Sequence, residues 1–318
     1  MKKFSVILLI YNSTIEKVER TIMSVIRQSM KKKDWELVIA DDGSKKRLDK
    51  EIEKLLQGKN VSYKFTAHTE NMGTVKNILE GLSLCDGEYI KLIGAGDALF
   101  DENVLSNVYK YMEETHVKCC FGLMRGFHYD TNNNLIQTVF RAPKDIDIYK
   151  KRNVSWKKIE NNVLIYGDWI SGASMFYEKE TLEQYLKKAQ NDVKYCEDII
   201  TANLVLDKEK IGFINKTLIW YEIGEGITTV DENDNFFLKL IYKDHDNYFK
   251  YLAKMYPESY KVKHGIRFMK YNRKRGIKNS IEKNIVEPRR IFYIVRINIQ
   301  KIRNVHQDQN IGFLERKS

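Results

Sequence analysis

Two adjacent carboxylates, Asp41 and Asp42, are the residues whose types and spacing most favour ligand binding. They follow the apolar run at residues 37–40 and precede Gly43 and Ser44. A short apolar run bounded by turn residues predicts a strand buried on both faces. Open α/β sheets bind ligands at the carboxyl ends of such strands. The alternative is an Asx-type turn, in which one carboxylate caps the chain reversal.

Acidic side chains recur at two later points. Asp97 follows the strand-like run 88–93 and three small residues, so it also stands at the carboxyl end of a strand. Glu197 and Asp198 open a helical segment that continues through residue 205. Acids at a helix start are stabilised by the helix dipole, so simple capping is one explanation of this pair.

The elements that position these acids follow from hydrophobic periodicity. Residues 4–10 form another buried-strand pattern that ends on Tyr11 and Asn12, and the next apolar residues recur at helical spacing. Strand, helix and strand form a βαβ unit, which predicts a largely parallel sheet. We therefore expect Tyr11, Asn12, Asp41 and Asp42 to share a polar pocket at one sheet edge. Strands are also predicted at 61–68 and 88–93, with a helix from Thr74 between them.

Composition indicates a globular protein. The chain has 318 residues, of which 43% are hydrophobic and 31% charged, so a sizeable core is available. No apolar run approaches the roughly 18 residues of a membrane-spanning helix. The four cysteines show neither metal-ligand nor disulfide spacing. We expect a reducing, cytoplasmic location.

Positive charge is concentrated in the last part of the chain. Residues 261–318 hold 16 Lys and Arg against 4 Asp and Glu, a net charge of +12, while the whole chain carries +11. We therefore predict a main domain over 1–230 and a basic helical extension over 231–318. Basic and apolar residues mixed in 289–303 suit a helix lying on an anionic membrane, peripherally on the inner face of the cell membrane. The alternative is a packing helix with a solvated basic face. We do not predict nucleic acid as a partner, because no nucleic-acid motif is present.

Five short motifs, taken in order, resemble family 2 glycosyltransferases. The motifs are Tyr11-Asn12, Asp41-Asp42-Gly43-Ser44, Asn71-x-Gly73-x-x-Lys76-Asn77, Gly87-Glu88-Tyr89-Ile90 and a terminal Asp97. Members of this family are inverting enzymes that use nucleotide-sugar donors. The resemblance, which covers roughly residues 4–100, implies the α/β, Rossmann-like GT-A fold, with a mixed, mainly parallel sheet flanked by helices.

The resemblance also implies a donor site. Tyr11, Asn12, Asp41 and Asp42 match the positions that hold the nucleotide base and ribose in the family. Carboxylates suit this role because they accept hydrogen bonds from a base N–H and from ribose hydroxyls. Lys76 stands where the family often carries a basic residue, and a cation there would offset diphosphate charge. A solvated helix residue is the alternative for Lys76.

The chain departs from the family at the end of the fourth predicted strand. The family usually has Asp-x-Asp followed by another acid, and the last carboxylate of Asp-x-Asp ligates Mg²⁺ or Mn²⁺, which bridges the diphosphate. Here the positions are Gly94, Ala95 and Gly96, and only Asp97 is acidic. Three interpretations stay open: Asp97 binds the metal or the donor sugar, basic residues replace the metal, or catalysis is lost.

The acceptor side is implied by the second half of the chain. The family frames the acceptor with a segment similar to residues 167–177, which makes Gly172 and Trp169 candidate acceptor contacts. A core tryptophan is the alternative for Trp169. The family takes its general base from a Glu-Asp pair, and the base removes the acceptor hydroxyl proton. We expect Asp198 as the base, supported or replaced by Glu197, and we expect the helix N-terminus to lower the pKa of Asp198.

The predicted activity is an inverting transfer from a UDP-linked sugar to a hydroxyl of a glycan or lipid-linked saccharide, in surface polysaccharide synthesis. Residues 219–229, with Glu225 between two glycines, resemble the loop that closes over the donor in many relatives; a plain turn is the alternative. The competing function is a non-catalytic GT-A-like protein that binds sugar nucleotide or a partner enzyme.

Overall fold

The computed structural model describes residues 2–150, 155–224, 235–273, 277–303 and 313–314. The strands are β1 (Lys2–Ile10), β2 (Trp35–Asp41), β3 (Tyr63–Ala67), β4 (Gly87–Gly94), β5 (Ala98–Leu99), β6 (Cys119–Tyr129), β7 (Leu135–Phe140), β8 (Met175–Glu178) and β9 (Ile211–Glu222). The α-helices are α1 (Ile15–Ile26), α2 (Asp49–Leu56), α3 (Thr74–Ser83), α4 (Val104–Thr115), α5 (Trp156–Glu160), α6 (Lys179–Ala189), α7 (Ile200–Leu206), α8 (Asn235–Met255), α9 (Tyr260–Asn272), α10 (Ile277–Val286) and α11 (Arg290–Arg303).

The strands form one mixed sheet in the order β3-β2-β1-β4-β8-β6-β9-β5, with β7 paired to β6. The first four strands of this order are mutually parallel. Ile10 lies beside Asp41, and Leu9 lies beside Gly94. The carboxyl ends of β1, β2 and β4 therefore meet at one edge, which confirms the βαβ arrangement predicted from the sequence.

Strands from the second half bring further residues to this sheet. β8 is antiparallel to both β4 and β6, so the turn Gly172–Ser174 that precedes it lies beside β4. β9 is parallel to β6, and its carboxyl end reaches β5, just beyond Asp97. The sheet thus gathers the ends of β1, β4 and β9 around one region.

Hydrophobic clusters cover both faces of the sheet. In β1, Ile7 belongs to the cluster shared with α3, α6 and α7, whereas Val6 and Leu8 belong to the cluster shared with α1, α2 and α4. All three side chains are fully buried. Burial on both faces explains why the strand is a continuous apolar run instead of an alternating one.

Helices α8 to α11 lie in the C-terminal part of the chain, and two of them join the main core. Tyr248 and Leu252 of α8, and Val262 and Phe268 of α9, are fully buried in the cluster that contains Ile7. The predicted boundary at residue 230 falls within residues 225–234, outside the described residues, and stays a prediction. No helix in the described ranges is long and apolar enough to cross a membrane. All four cysteines are buried free thiols.

Candidate functional site

The ends of β1, β4 and β9 surround a cavity of about 250 Å³. Its lining includes Tyr11, Asn12 and Asp97, three of the residues that the sequence places at the donor. Lys17 of α1 and Glu222 of β9 also line the cavity. Sequence reasoning did not select these two, because neither belongs to a motif and only the tertiary structure brings them together.

Asn12 joins the ends of the first two strands. Its backbone N–H donates to Ser44 Oγ at 2.8 Å, and its Oδ1 accepts from the Lys45 N–H at 3.0 Å. Tyr11 beside it keeps half of its surface exposed. The turn after β2 is therefore fixed against the end of β1, with an aromatic ring open to solvent at the cavity.

Asp41 and Asp42 are both buried and both bonded within the protein. Asp41 Oδ1 accepts from the Ser44 N–H at 2.8 Å, the turn-capping role that was one of the two interpretations. The Asp42 carboxylate accepts from the backbone N–H groups of Met72 and Gly73, at 2.8 and 3.0 Å. Burial raises the pKa of Asp42, and these two hydrogen bonds oppose the shift. Donor contacts by either acid stay a prediction.

Glu197 and Asp198 lie in a short helical turn directly before α7. The Gly172 N–H donates to the Asp198 carboxylate. A Cβ on Gly172 would stand only 2.4 Å from Glu197 Oε1 and 3.3 Å from Asp198 Cβ. Gly172 therefore positions the acid pair by its missing side chain and its N–H, and its predicted contact with an acceptor stays a prediction.

Burial raises the pKa of both acids, so the expected lowering at a helix N-terminus is wrong. The cause is desolvation, which disfavours the charged form and here outweighs the hydrogen bond from Gly172. For Glu197, the charge of Asp198 raises the pKa further. A carboxylate with a raised pKa is a stronger base.

A buried cation, Lys91, lies between the acid pair and Asp97. Lys91 is fully buried in β4 and donates to the carbonyl oxygens of Ala173 and Met175. Its charge interacts with Asp97 and Glu197. Burial lowers the pKa of Lys91 to about 7 and raises the pKa of Asp97 to about 7. A lysine inside the apolar run 88–93 was a usable signal, because lysine is almost never fully buried without a partner.

Asp244 of α8 holds the segment that leads into the acid pair. Its carboxylate accepts from three consecutive backbone N–H groups, those of Lys194 at 3.0 Å, Tyr195 at 2.5 Å and Cys196 at 3.1 Å. These bonds fix the chain immediately before Glu197. Nothing in the sequence links position 244 to the acid pair, since the contact spans about fifty residues.

Seven of the ten predicted site residues do not line the cavity that holds Tyr11: Asp41, Asp42, Lys76, Trp169, Gly172, Glu197 and Asp198. Lys76 is exposed on α3 and lines a separate cavity of about 620 Å³ with Lys194. Trp169 is partly buried and packs against His245 and Phe249, each with ring centroids 6.2 Å apart, as expected of a core tryptophan. Their contacts with donor and acceptor stay predictions. The glycine-flanked Glu225 of the predicted closing loop lies outside the described residues.

The residues present do not fit the divalent metal of the family. Within the described ranges, no group of three or more His, Cys, Asp or Glu side chains could hold an ion. Glu222 Oε2 lies 2.1 Å from where a Cβ on Gly96 would stand, so this carboxylate occupies the space of the missing aspartate. It is already paired with Arg20 at 2.9 Å and Lys17 at 3.3 Å.

Comparisons with solved structures support the fold. Staphylococcus aureus TarS 1–349 in complex with UDP-GlcNAc has a TM-score of 0.52 and 18% identity, over 81% of this chain and 73% of TarS 1–349. The mannosyltransferase PcManGT from Pyrobaculum calidifontis, in complex with GDP-Man and Mn²⁺, has a TM-score of 0.56 and 12% identity, over 96% of this chain and 88% of PcManGT. Similarity at these identities shows the fold alone, and it confirms the GT-A class.

Comparison with known sequences assigns the chain to a family. The poly(ribitol-phosphate) beta-N-acetylglucosaminyltransferase TarP of Staphylococcus aureus (strain N315) is 29% identical over 203 residues. That match covers 62% of this chain and 55% of TarP, so the chain spans about half the length of this relative. The model of glycosyl transferase family 2 matches residues 5–186, which is more than half of the chain. The chain therefore belongs to glycosyl transferase family 2.

Proposed function

We propose that the protein is an inverting glycosyltransferase that moves a sugar from a UDP-linked donor to a hydroxyl group of a glycan or lipid-linked saccharide. The observation that carries this proposal is the acid pair Glu197 and Asp198. Gly172 and Asp244 hold it in place beside a buried lysine. A protein that only binds sugar nucleotide has no use for two adjacent, partly buried carboxylates, because burial of two acids side by side costs stability.

In the proposed reaction, Asp198 removes the proton from the acceptor hydroxyl as its oxygen attacks the anomeric carbon. The new C–O bond forms on the face opposite the nucleotide. The bond from that carbon to the diphosphate breaks, and the nucleoside diphosphate leaves with the electron pair. The configuration at the carbon is thereby inverted. The raised pKa of Asp198 favours proton transfer, since it brings the base closer to neutral pH.

UDP-GlcNAc is the donor that we propose to test first. TarP is named as a beta-N-acetylglucosaminyltransferase, and TarS binds UDP-GlcNAc. The name of TarP also places poly(ribitol phosphate) among the acceptors to test. GDP-Man is the competing donor, because PcManGT binds it.

The proposal is tested by measuring release of nucleoside diphosphate from each donor, with and without each acceptor. We expect acceptor-dependent UDP release that disappears in Asp198→Asn, while binding of UDP-GlcNAc by calorimetry is retained. Binding of the donor without transfer to any acceptor would favour the non-catalytic alternative.

We further propose that α10 and α11 place the protein on an anionic membrane surface at the cytoplasmic face. Lys278, Arg289 and Lys301 are exposed on or beside these helices. Such charges attract anionic lipid and would repel a second copy of the same surface. Seven apolar side chains are exposed on the two helices: Ile281, Ile285, Val286, Ile291, Phe292, Val295 and Ile299.

Vesicle co-sedimentation tests this surface. We expect binding to phosphatidylglycerol-containing vesicles but not to pure phosphatidylcholine. The double variant Ile285→Ser/Phe292→Ser should reduce vesicle binding by more than tenfold. Each of these side chains is about 70% exposed, and burying one in lipid contributes roughly 2 kcal/mol of binding free energy. Val139→Ser on β7, at 73% exposure, is the matched control. Unchanged vesicle binding in the double variant, or self-association through this face, would rule the proposal out.

A further inference from the structure

We infer that Lys17 and Arg20 bind the donor diphosphate in place of a divalent metal ion, and that Glu222 holds these two cations at the cavity until the donor arrives. The inference rests on the proposed function, because it concerns the same donor. It goes further by naming the groups that carry the phosphate charge and by predicting that the metal of the family is dispensable here.

The first step is the position of Glu222. Its backbone N–H donates to Asp97 Oδ1 at 2.9 Å, which ties the end of β9 to the loop after β4. Its carboxylate lies over Gly96, 2.1 Å from an ideal Cβ at that position. Gly96 also has a φ of +109°, a conformation that an aspartate rarely adopts. The last carboxylate of Asp-x-Asp could not return to this backbone without displacing Glu222.

The second step is the pair of cations on α1. Lys17 and Arg20 are three residues apart, so they project from the same side of the helix. The Glu222 carboxylate contacts both, at 3.3 Å from Lys17 Nζ and 2.9 Å from Arg20 Nη1. Arg20 also donates to the Gly96 carbonyl oxygen at 3.1 Å. Lys17 lines the cavity, and Arg20 is not among its lining residues, but each side chain is about a fifth exposed and both contact Glu222, which lines the cavity. A phosphate group that takes the place of the Glu222 carboxylate would therefore meet both cations.

The third step is the balance of charge around the cavity. Two basic side chains, Lys17 and Arg20, contact one carboxylate, Glu222. Asp97, the other acid that lines the cavity, interacts with Lys91, which also interacts with Glu197. The cluster of Lys17, Arg20 and Glu222 carries a net positive charge, so it attracts a diphosphate and repels a divalent cation.

On donor binding the two cations exchange one anionic partner for another. A diphosphate that enters the cavity replaces the Glu222 carboxylate as the partner of Arg20 and Lys17. Guanidinium groups bind phosphate oxygens through two parallel N–H bonds, and lysine adds a point charge. These same cations would stabilise the negative charge that grows on the diphosphate as the sugar leaves. That is the contribution that the metal makes in family members with Asp-x-Asp.

Binding of UDP and of inorganic pyrophosphate, measured by calorimetry in EDTA and in Mn²⁺, tests the inference. We expect both probes to bind in EDTA, with less than about a threefold change on adding Mn²⁺. Lys17→Gln and Arg20→Ala should each weaken both probes by about tenfold or more, since a hydrogen bond to a charged group contributes about 1.5–3 kcal/mol. Uridine, which has no phosphate, should bind all variants alike.

Two further variants sharpen the test. Glu222→Gln should bind both probes more tightly than wild type, because it removes the competing carboxylate and keeps the shape of the side chain. Lys110→Ala, which breaks an exposed ion pair with Glu114 on α4, is the matched control and should change neither probe.

Some outcomes would overturn the inference. One is binding that appears only with Mn²⁺. Another is binding in EDTA that is insensitive to both cation variants, and a third is no binding of either probe under both conditions. Phosphate binding that depends on Lys17 and Arg20 supports the inference even if no sugar is transferred. In that case only the proposed function fails.

Discussion

The acid pair divides its roles by ionisation. The charge of Asp198 raises the pKa of Glu197, and burial raises the pKa of both. Asp198 alone of the two accepts the Gly172 N–H, which favours its charged form. We therefore expect Asp198 to lose its proton first and Glu197 to keep one. This order of ionisation supports the proposal that Asp198 is the base and Glu197 a neutral neighbour.

This division predicts a ranking of two isosteric substitutions. Asp198→Asn should lower the transfer rate by about 10²–10⁴-fold, the usual contribution of a general base. Glu197→Gln should lower it by less than about tenfold, because glutamine has the shape and charge of a protonated glutamate. Steady-state kcat with a competent donor and acceptor checks the ranking. The reverse ranking would move the base to Glu197.

The raised pKa of Asp198 also predicts the pH dependence. Transfer needs the ionised carboxylate, so the rate falls as the pH drops through its pKa. The pKa of an ordinary aspartate is about 3.9, and burial raises the pKa of Asp198 above that value. The midpoint of the acid limb of the kcat/KM profile should therefore lie clearly above about pH 4. A limb at the ordinary aspartate value would contradict the buried environment described for this carboxylate.

At the scale of elements, the turn after β2 depends on one close approach. Gly43 has a φ of +74°, and a Cβ there would lie 2.3 Å from the Glu70 backbone carbon. Gly58 has a similar φ of +72° and nothing within 4 Å. Replacing Gly58 therefore tests backbone strain alone, whereas replacing Gly43 tests backbone strain together with a steric clash.

Gly58→Ala should cost about 1 kcal/mol, the strain of a left-handed alanine. Gly43→Ala should cost about 2 kcal/mol more, because two backbone segments must separate. Urea unfolding of both variants measures the difference. Equal losses would mean that the turn after β2 can move away from Glu70 freely.

The segment before the acid pair depends on α8. Asp244→Ala removes the acceptor of three backbone N–H groups. It should lower kcat by roughly tenfold or more, since small displacements of catalytic groups have large effects on rate. Asp246 lies on the same helix and pairs with Arg273 at 2.6 Å while remaining 42% exposed. Asp246→Ala should leave kcat unchanged. Equal kcat values in the two variants would remove the positioning role of Asp244.

At the scale of the whole molecule, the basic C-terminal helices contribute in two different ways. α9 belongs to the main core, where Phe268 is fully buried. α11 is docked by Arg296, whose guanidinium bonds the buried Asp145 at 2.7 and 2.9 Å. Arg296 thus has a structural partner, as do Lys261 with Glu160 and Arg273 with Asp246. The outer surface of α11 carries apolar side chains such as Phe292, which is 70% exposed, beside the exposed Lys301.

Two phenylalanines in these helices test this difference. Phe268→Ala should destabilise the protein by about 3–5 kcal/mol, the cost of emptying a packed aromatic site. Phe292→Ala should change the free energy of unfolding by less than about 0.5 kcal/mol. Chemical unfolding of the full chain compares them. A small loss for Phe268→Ala would indicate that α9 lies on the domain without supporting it.

Much of the sheet edge was predictable from local pattern. The apolar runs before Tyr11, Asp41 and Asp97 each became a strand, because burial on both faces selects continuous apolar sequence. The βαβ order then required the ends of β1 and β2 to meet. The roles of Lys91 and Glu222 were not predicted, because each depends on partners that lie far away in the sequence.

The sequence by itself determined the fold class and the family motifs, since local periodicity and motif order encode them, and it singled out Asp97, Glu197 and Asp198 as candidate site residues. Only the tertiary structure decided how these acids are charged and which groups surround them. Desolvation reversed the expected pKa shift of Asp198, and ion pairs between α1 and the end of β9 set Glu222 between two cations where the metal motif is missing. Electrostatic energies depend on burial and through-space distance, and neither is a property of neighbouring positions in a chain.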